Sequence, residues 1–428
     1  MARARYNGRM QSRWTDTEAR EFIARYAETH GEDLALRVYS SRLIGRDEDL
    51  VLHGGGNTSV KTTVKDLLGE PVDVLCVKGS GWDLVDIEPQ GLPAVRLEPL
   101  RRLRAVEAMT DEEMVNQVRI QLLDAKAPTP SVETLLHAFL PHRFVDHSHA
   151  DAILILTNQP DGEALIREAL GADIPVLPWI MPGFPLAKAV ADAYEANPSC
   201  EGVVLLKHGL FTFGDDAQTS YERMVTLVDK AERFCAERIA DRPVMTVAAD
   251  AAGDPAALAA AVLPTIRGAL AVPRVGDSPT RFIATHRCDD DLVALSRHAD
   301  ARALLEQGPM TPDHVIRTKA SYLVLTEAEA RDGSAVRARV DAYAQDYAAY
   351  FEANKHRVTL APTMLDPHPR VVVVEGAGLF AFGLNHKAAG IAGDLAEHTL
   401  RAKARAAALG TYAVSYTHLR AHETSRAI

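Results

Sequence analysis

Two stretches of this chain read almost alike. VVLLKHGLFTFG (Val203 to Gly214) is echoed by VVVVEGAGLFAFG (Val371 to Gly383), and a helical pattern follows each. An apolar run, a glycine-marked turn, a second apolar run and a helix together make an α/β unit. The echo therefore predicts a second, smaller α/β region that is a degenerate repeat of part of the first. The second copy has Gly376-Ala377 where the first has His208. At 428 residues the chain also exceeds the usual span of one core, so about two domains are expected.

The remaining elements fall in an alternating order. Thr15-Asp16-Thr17-Glu18 has capping-box spacing ahead of an amphipathic run to Tyr26, and a helix is expected from Asp33 to about Gly45. Short strands are expected over Thr58–Val64 and Val72–Val77, a helix from about Ser131, strands over Ala152–Thr157 and Val203–Leu206, and a long helix over Ala217–Glu237. Residues 1–245 are thus expected as a first, layered α/β domain and the alanine-rich 246–263 as linker or surface helix. A second α/β region should occupy 264–410. After Gly410 the composition shifts abruptly, and the ending SYTHLRAHETSRAI looks like translated adaptor sequence. Residues 411–428, with His418 and His422, are read as non-native.

Charge and cysteine usage narrow the classes of function. A net charge of −11 argues against a dedicated nucleic-acid binder, and the basic start MARARYNGRMQSR is a short solvated arm. No apolar h-region follows it and no apolar segment is long enough to span a bilayer, so no membrane partner is expected. The four cysteines are far apart and form no CxxC pair, which suits reduced thiols in a cytoplasm.

Five short segments could carry chemistry. HGGGNTS (His53 to Ser59) can offer backbone N–H groups to an anion, with Asn57 and Ser59 as side-chain donors. VKGSGWDL (Val77 to Leu84) adds Lys78 and Ser80. Each alone would be a plain turn. In TPSVETLLHAF, Ser131 is placed at a helix start and Glu133 in its first turn, where a carboxylate also serves as a structural cap. His137 shares the face of Glu133. In VDHSHADAILI, His147 and His149 sit two residues apart at the mouth of an apolar run, so both imidazoles can face one object. His208 follows an apolar strand in KHGLFTFG. A single histidine there is most often a packing residue, but three imidazoles from two segments suit Zn2+ or a similar divalent ion with an open position.

With GGGNTS, KGSG, PSVE, HSH and KHG in that order, residues 30 to 235 resemble the class II aldolase/adducin family. The resemblance implies a three-layer α/β/α fold around a mixed sheet and zinc held by His147, His149 and His208. It implies Glu133 as acid/base, and Gly56, Asn57, Ser80, Gly81 and Ser131 as the substrate phosphate site. Val132 stands where sugar aldolases of the family often have a second serine, so one phosphate donor is absent, and either Lys78 compensates or the anion sits differently. GPMTPDHVIRTK (Gly308 to Lys319) and the second α/β region are similar to the aldolase part of bifunctional rhamnulose-phosphate aldolase/lactaldehyde dehydrogenases. This chain shows no GxxxGxG loop and no Tyr-x-x-x-Lys pair, so no NAD site is expected in it.

The activity so implied is cleavage of a ketose 1-phosphate, rhamnulose 1-phosphate foremost, to dihydroxyacetone phosphate and lactaldehyde in a cytoplasmic homo-oligomer. Epimerases, dehydratases and decarboxylases of the same fold are the alternative. A non-enzymatic adducin-like scaffold would be expected to lack the ligands that are present here. His314, Arg317, Lys319, His386 and Lys387 could bind an anion or serve as solvated helix ends.

Overall fold

In the computed structural model, residues 10–242, 244, 253–274, 277–355 and 363–414 are described, so the expected tail over 411–428 lies outside them except for 411–414. The chain forms two compact units. One combines residues up to 157 with Asp161–Cys235, and the other combines residues from 236 onward with Asn158–Pro160.

The first unit is built on a seven-stranded sheet. Its strands are β1 (Asn57–Lys65), β2 (Pro71–Val77), β3 (Ala94–Arg96), β4 (Phe144–Ser148), β5 (Val176–Leu177), β6 (Gly202–Leu205) and β7 (Gly209–Gly214), in the order β3-β2-β1-β4-β7-β6-β5. Every adjacent pair is antiparallel except β5 with β6, so the sheet is mixed. Alternation then sorts the side chains. Val145, Val203, Phe211 and Phe213 pack on one face with Leu135 and Leu136 of the helix Thr134–Phe139 and with Phe184 and Val190 of Phe184–Ala196. On the other face, Asp146 and Ser148 meet the helix Ala217–Ile239 through Ser220 and Met224. Helices on both faces give the expected three layers.

One expected strand is a helix. Ala152–Thr157 belongs to the helix Asp151–Thr157, with Asp151 at its positive end and every following residue buried. A helix buried on all sides has no polar stripe, so a short apolar run there reads the same as a buried strand. The expected helix start at Ser131 also moves. Helical geometry begins at Thr134, and Ser131 lies in the loop before it.

Met10 donates its N–H to Glu232 on Ala217–Ile239 at 3.0 Å. Burial raises the Glu232 carboxyl to about 7, the Met10 bond opposes this, and Asp49, Asp47 and Asp229 add to the rise. Between its ordinary value and about 7 the folded chain keeps a proton that the unfolded chain has released, so stability falls as pH rises through that window. Glu232→Gln is therefore expected to raise Tm by roughly 2–4 °C at pH 8 and to change it little near pH 4.5. Thermal unfolding of both proteins at the two pH values checks this, and equal offsets at both would contradict it.

The second unit contains a four-stranded sheet of β10 (Ile283–Arg287), β11 (Leu323–Leu325), β12 (Val371–Val374) and β13 (Gly378–Gly383), and a separate ribbon of β8 (Val272–Arg274) and β9 (Asp277–Thr280). Its order, β10-β13-β12-β11, with pairings antiparallel, antiparallel and parallel, repeats that of β4-β7-β6-β5. The segment 246–263 is not all linker. A helix begins at Pro255, capped by Asp254, and runs to Ala269, with Leu258, Val262 and Ile266 in the unit's core; the part of it over 246–252 lies outside the described residues.

Candidate metal centre

Register sets out the site. Asn57 on β1 is opposite His147 on β4, and His147 is opposite Phe211 on β7, so the three form a row on one face. The His147 ring stacks on Phe211 at 4.0 Å. Its Nδ1 lies 3.1 Å from the Leu210 carbonyl, which can only accept, so Nδ1 carries the proton and Nε2 presents a lone pair. His149 follows β4, and its Nε2 is 3.0 Å from that of His147. His208 stands in the turn between β6 and β7, after Lys207 at φ +61°.

Two glycines permit this convergence. A Cβ on Gly209 would come within 2.2 Å of the Ser148 carbonyl, and one on Gly56, itself at φ +59°, within 2.5 Å of the His147 carbonyl. The ligand atoms of His147, His149 and His208 lie within 4.8 Å of one another, and all three residues are buried. A tetrahedral ion with bonds of about 2.1 Å needs donors about 3.4 Å apart. Three imidazole nitrogen donors from buried residues match a borderline divalent ion that keeps one position open.

Glu133 closes the site. It occupies the N-cap position of Thr134–Phe139 but makes no side-chain cap bond. Its Oε2 lies 3.5 Å from His147 Nε2 and its Oε1 lies 3.5 Å from His208 Nε2. Asn57 Nδ2 donates to Oε2 at 2.6 Å. Because that amide nitrogen donates, Asn57 Oδ1 accepts from His137 Nε2, and His137 Nδ1 in turn accepts from the Ser59 hydroxyl at 2.7 Å. Burial holds His137 well below the ordinary histidine range, and Lys61, His147 and Arg37 push it the same way. His137 is thus a neutral relay that fixes the amide orienting Glu133. Its spacing from Glu133 was the only sequence signal for it.

The expected phosphate residues sit on loops that are tied together. Ser131 N–H donates to the Lys78 carbonyl and Ser80 N–H to the Thr129 carbonyl, so those amides are already engaged. Ser131 Oγ accepts from Asn57 Nδ2 at 3.2 Å and from Glu133 N–H at 3.3 Å. Ser80 and Gly81 are exposed, Gly81 at φ +86°. Lys78 is buried and donates to the Gly54 carbonyl at 2.6 Å, which braces one glycine loop on the other. Asp83 accepts the Gly54 N–H, a carboxylate beside the loop that sequence reasoning did not flag.

Behind β4, Asp146 and Arg37 form a fully buried ion pair at 2.5 Å, also missed in the sequence. Arg37 donates to the Ser59 carbonyl and to Ser40, and Ser220 donates to Asp146, so the pair pins the strands bearing Asn57 and His147. Asp146→Ala should cost about 3–5 kcal/mol by stranding the guanidinium, whereas Arg37→Met with Asp146→Leu should cost far less. Calorimetric unfolding separates the two, and equal losses would contradict the pairing.

The repeat explains why the corresponding place in the second unit holds no such cluster among the described residues. Aligning Gly209 of β7 with Gly378 of β13 sets Phe211 against Phe380, whose partner across the sheet is His286. His286 stacks on Phe380 as His147 does on Phe211. Cys288 takes the place of His149 and Ala377 that of His208, and the Ala377 carbonyl accepts from His286 Nε2 at 2.8 Å. No grouping of three or more ligand-type side chains forms around His286 among the described residues.

Residues 36–235 match the family described as Class II Aldolase and Adducin N-terminal domain, and residues 257–424 match Aldolase class II, second domain. The chain belongs to the class II aldolase/adducin family, and its fold is the α/β fold of that family with a mixed sheet. It is similar to the Uncharacterized oxidoreductase YuxG of Bacillus subtilis (strain 168), 32% identical over 386 residues, which are 88% of this chain and 54% of the relative. The chain thus spans about half the length of that relative. Among solved structures it is similar to the N-terminal class II aldolase domain of a conserved protein from Thermoplasma acidophilum (45% identity, TM-score 0.47, covering 53% of this chain and 99% of that one). It is also similar to the L-fuculose-1-phosphate aldolase of Thermus thermophilus (22% identity, TM-score 0.32, covering 47% and 96%). No helix among the described residues is long and apolar enough to cross a membrane.

Proposed function

We propose that the protein is a zinc-dependent aldolase that cleaves a ketose 1-phosphate, rhamnulose 1-phosphate foremost, to dihydroxyacetone phosphate and lactaldehyde. The observation that carries this reading is the Glu133 carboxylate, buried and 3.5 Å from two of the three clustered imidazoles. A divalent ion held by His147, His149 and His208 supplies Lewis-acid stabilisation for adjacent ketose oxygens as charge develops on them.

The chain's own residues do the rest. When the bond between carbons 3 and 4 breaks, the C4 hydroxyl gives its proton to water as the aldehyde carbonyl forms, and the bond's electron pair stays with carbon 3. Glu133, protonated from water, delivers a proton there; in the reverse direction it removes that proton. Oε2 is committed to the Asn57 amide, so Oε1 carries the proton. Asn57, held by His137 and Ser59, keeps the carboxylate aimed without rearrangement during the reaction. Gly56, Ser80, Gly81 and Ser131 receive the phosphate, while Lys78 and Asp83 brace the loop floor through the Gly54 backbone.

The length of the Bacillus subtilis relative and its oxidoreductase name support coupling of this lyase to oxidation of the aldehyde product. Incubation of the zinc-loaded protein with rhamnulose 1-phosphate should release lactaldehyde, and chelator should stop it. Recovery of an epimer with no aldehyde would transfer the assignment to an epimerase, and full activity in chelator would sink both.

A further inference from the structure

Strand β1 runs on past the metal centre. Asn57 and Ser59 serve that centre, and Lys61 is the next residue on the same face. Lys61 is 6% exposed, and its ammonium donates to the His142 carbonyl at 2.6 Å. It lines a cavity of about 490 Å³ together with Arg101, Arg143, Thr62, Asp33 and Asp73. Of the two carboxylates there, Asp33 pairs with Arg143 and accepts from the Thr62 hydroxyl, while Asp73 accepts from the Thr63 hydroxyl, so three cations line the cavity with two carboxylates. The Lys61 ammonium is met by a carbonyl and by no carboxylate among the described residues, and the charge that acts on it from Arg101 comes from an exposed guanidinium. A buried amine that faces an exposed guanidinium across a cavity in which cations outnumber carboxylates is stabilised in its charged form when an anion enters.

We propose that this cavity is a second ligand site, separate from the metal centre, that takes a phosphate monoester between Lys61 and Arg101. A phosphate dianion neutralises both cations, whereas a monocarboxylate leaves one uncompensated, and the cavity has room for the group the phosphate is attached to. Burial, and then Arg101, bring the empty site's Lys61 down to about 7, so near neutral pH much of it is an uncharged, nucleophilic amine.

That property allows a direct test on the full-length chain. Pyridoxal 5′-phosphate is a phosphate monoester carrying an aldehyde. Its condensation with the Lys61 amine expels water, and borohydride then delivers hydride to the imine carbon while water protonates the nitrogen. Peptide mapping after brief treatment at pH 7.5 should show Lys61 modified at least about tenfold faster than the exposed Lys126. Phosphate-free pyridoxal should modify Lys61 far less, inorganic phosphate should protect it, and Arg101→Ala should slow it about tenfold. Circular dichroism of the Arg101→Ala protein verifies its fold.

Equal modification by pyridoxal and its phosphate, or no protection by inorganic phosphate, would overturn the proposal. Lys61 shielded at high protein concentration and exposed on dilution would assign the cavity to a second copy of the chain, which also overturns it. Protection by inorganic phosphate no weaker than by glycerol 3-phosphate would point to the free ion and remove the monoester from the assignment.

Discussion

His208→Ala is expected to release the bound divalent ion and to lower kcat/KM for ketose 1-phosphate cleavage by at least about 1,000-fold. His208 is the one ligand that comes from the β6–β7 turn, while His147 and His149 arrive together at the end of β4. Removing it leaves two imidazoles, too few to hold a catalytic ion with one open position. The site's preorganisation is otherwise untouched, because Glu133 keeps its bond from Asn57 and His147 keeps its stack on Phe211. Metal analysis after gel filtration and a steady-state assay check the expectation together. An inactive protein that retains a full equivalent of metal would show that His208 acts in some way other than as a ligand.

Glu133→Gln is expected to lower kcat by about 10²- to 10⁴-fold while the ion stays bound. The substitution keeps the shape, and the glutamine carbonyl can still accept from Asn57 Nδ2 at the place of Oε2. It removes the exchangeable proton and nothing else of size. The opposing view, that Glu133 is there to cap its helix, predicts lost stability with kcat intact, and the structure gives that carboxylate no cap bond to lose. Metal content separates this variant from His208→Ala, since the two should fail for different reasons.

Much of the architecture was legible because local chemistry and tertiary packing agree. Thr15 caps the first helix as its spacing predicts, and β1, β2, β6 and β7 fall within a residue or two of the apolar runs that mark them. The clustered histidines could be picked out too, because HSH and KHG occur together with PSVE and two glycine loops, whereas a lone histidine at a strand end is most often a packing residue. Other features needed three dimensions. ADAILILT is apolar at almost every position, so periodicity could not separate helix from strand. His137, Arg37 and Asp146 act through partners 78, 22 and 74 positions away, and nothing local marks a buried relay or ion pair. The repeat shows the same limit. Its last strand pair was visible as GLFTFG and GLFAFG, but FVDHS and IATHR share only a histidine, and sheet register was required to align them.

Diffraction from crystals of the zinc-loaded protein on both sides of the zinc absorption edge tests the central claim most directly. The account predicts one anomalous peak per chain, about 2.1 Å from a ring nitrogen of each of His147, His149 and His208, and none beside His286. A zinc peak held elsewhere in the chain, with these three imidazoles unligated, would contradict it.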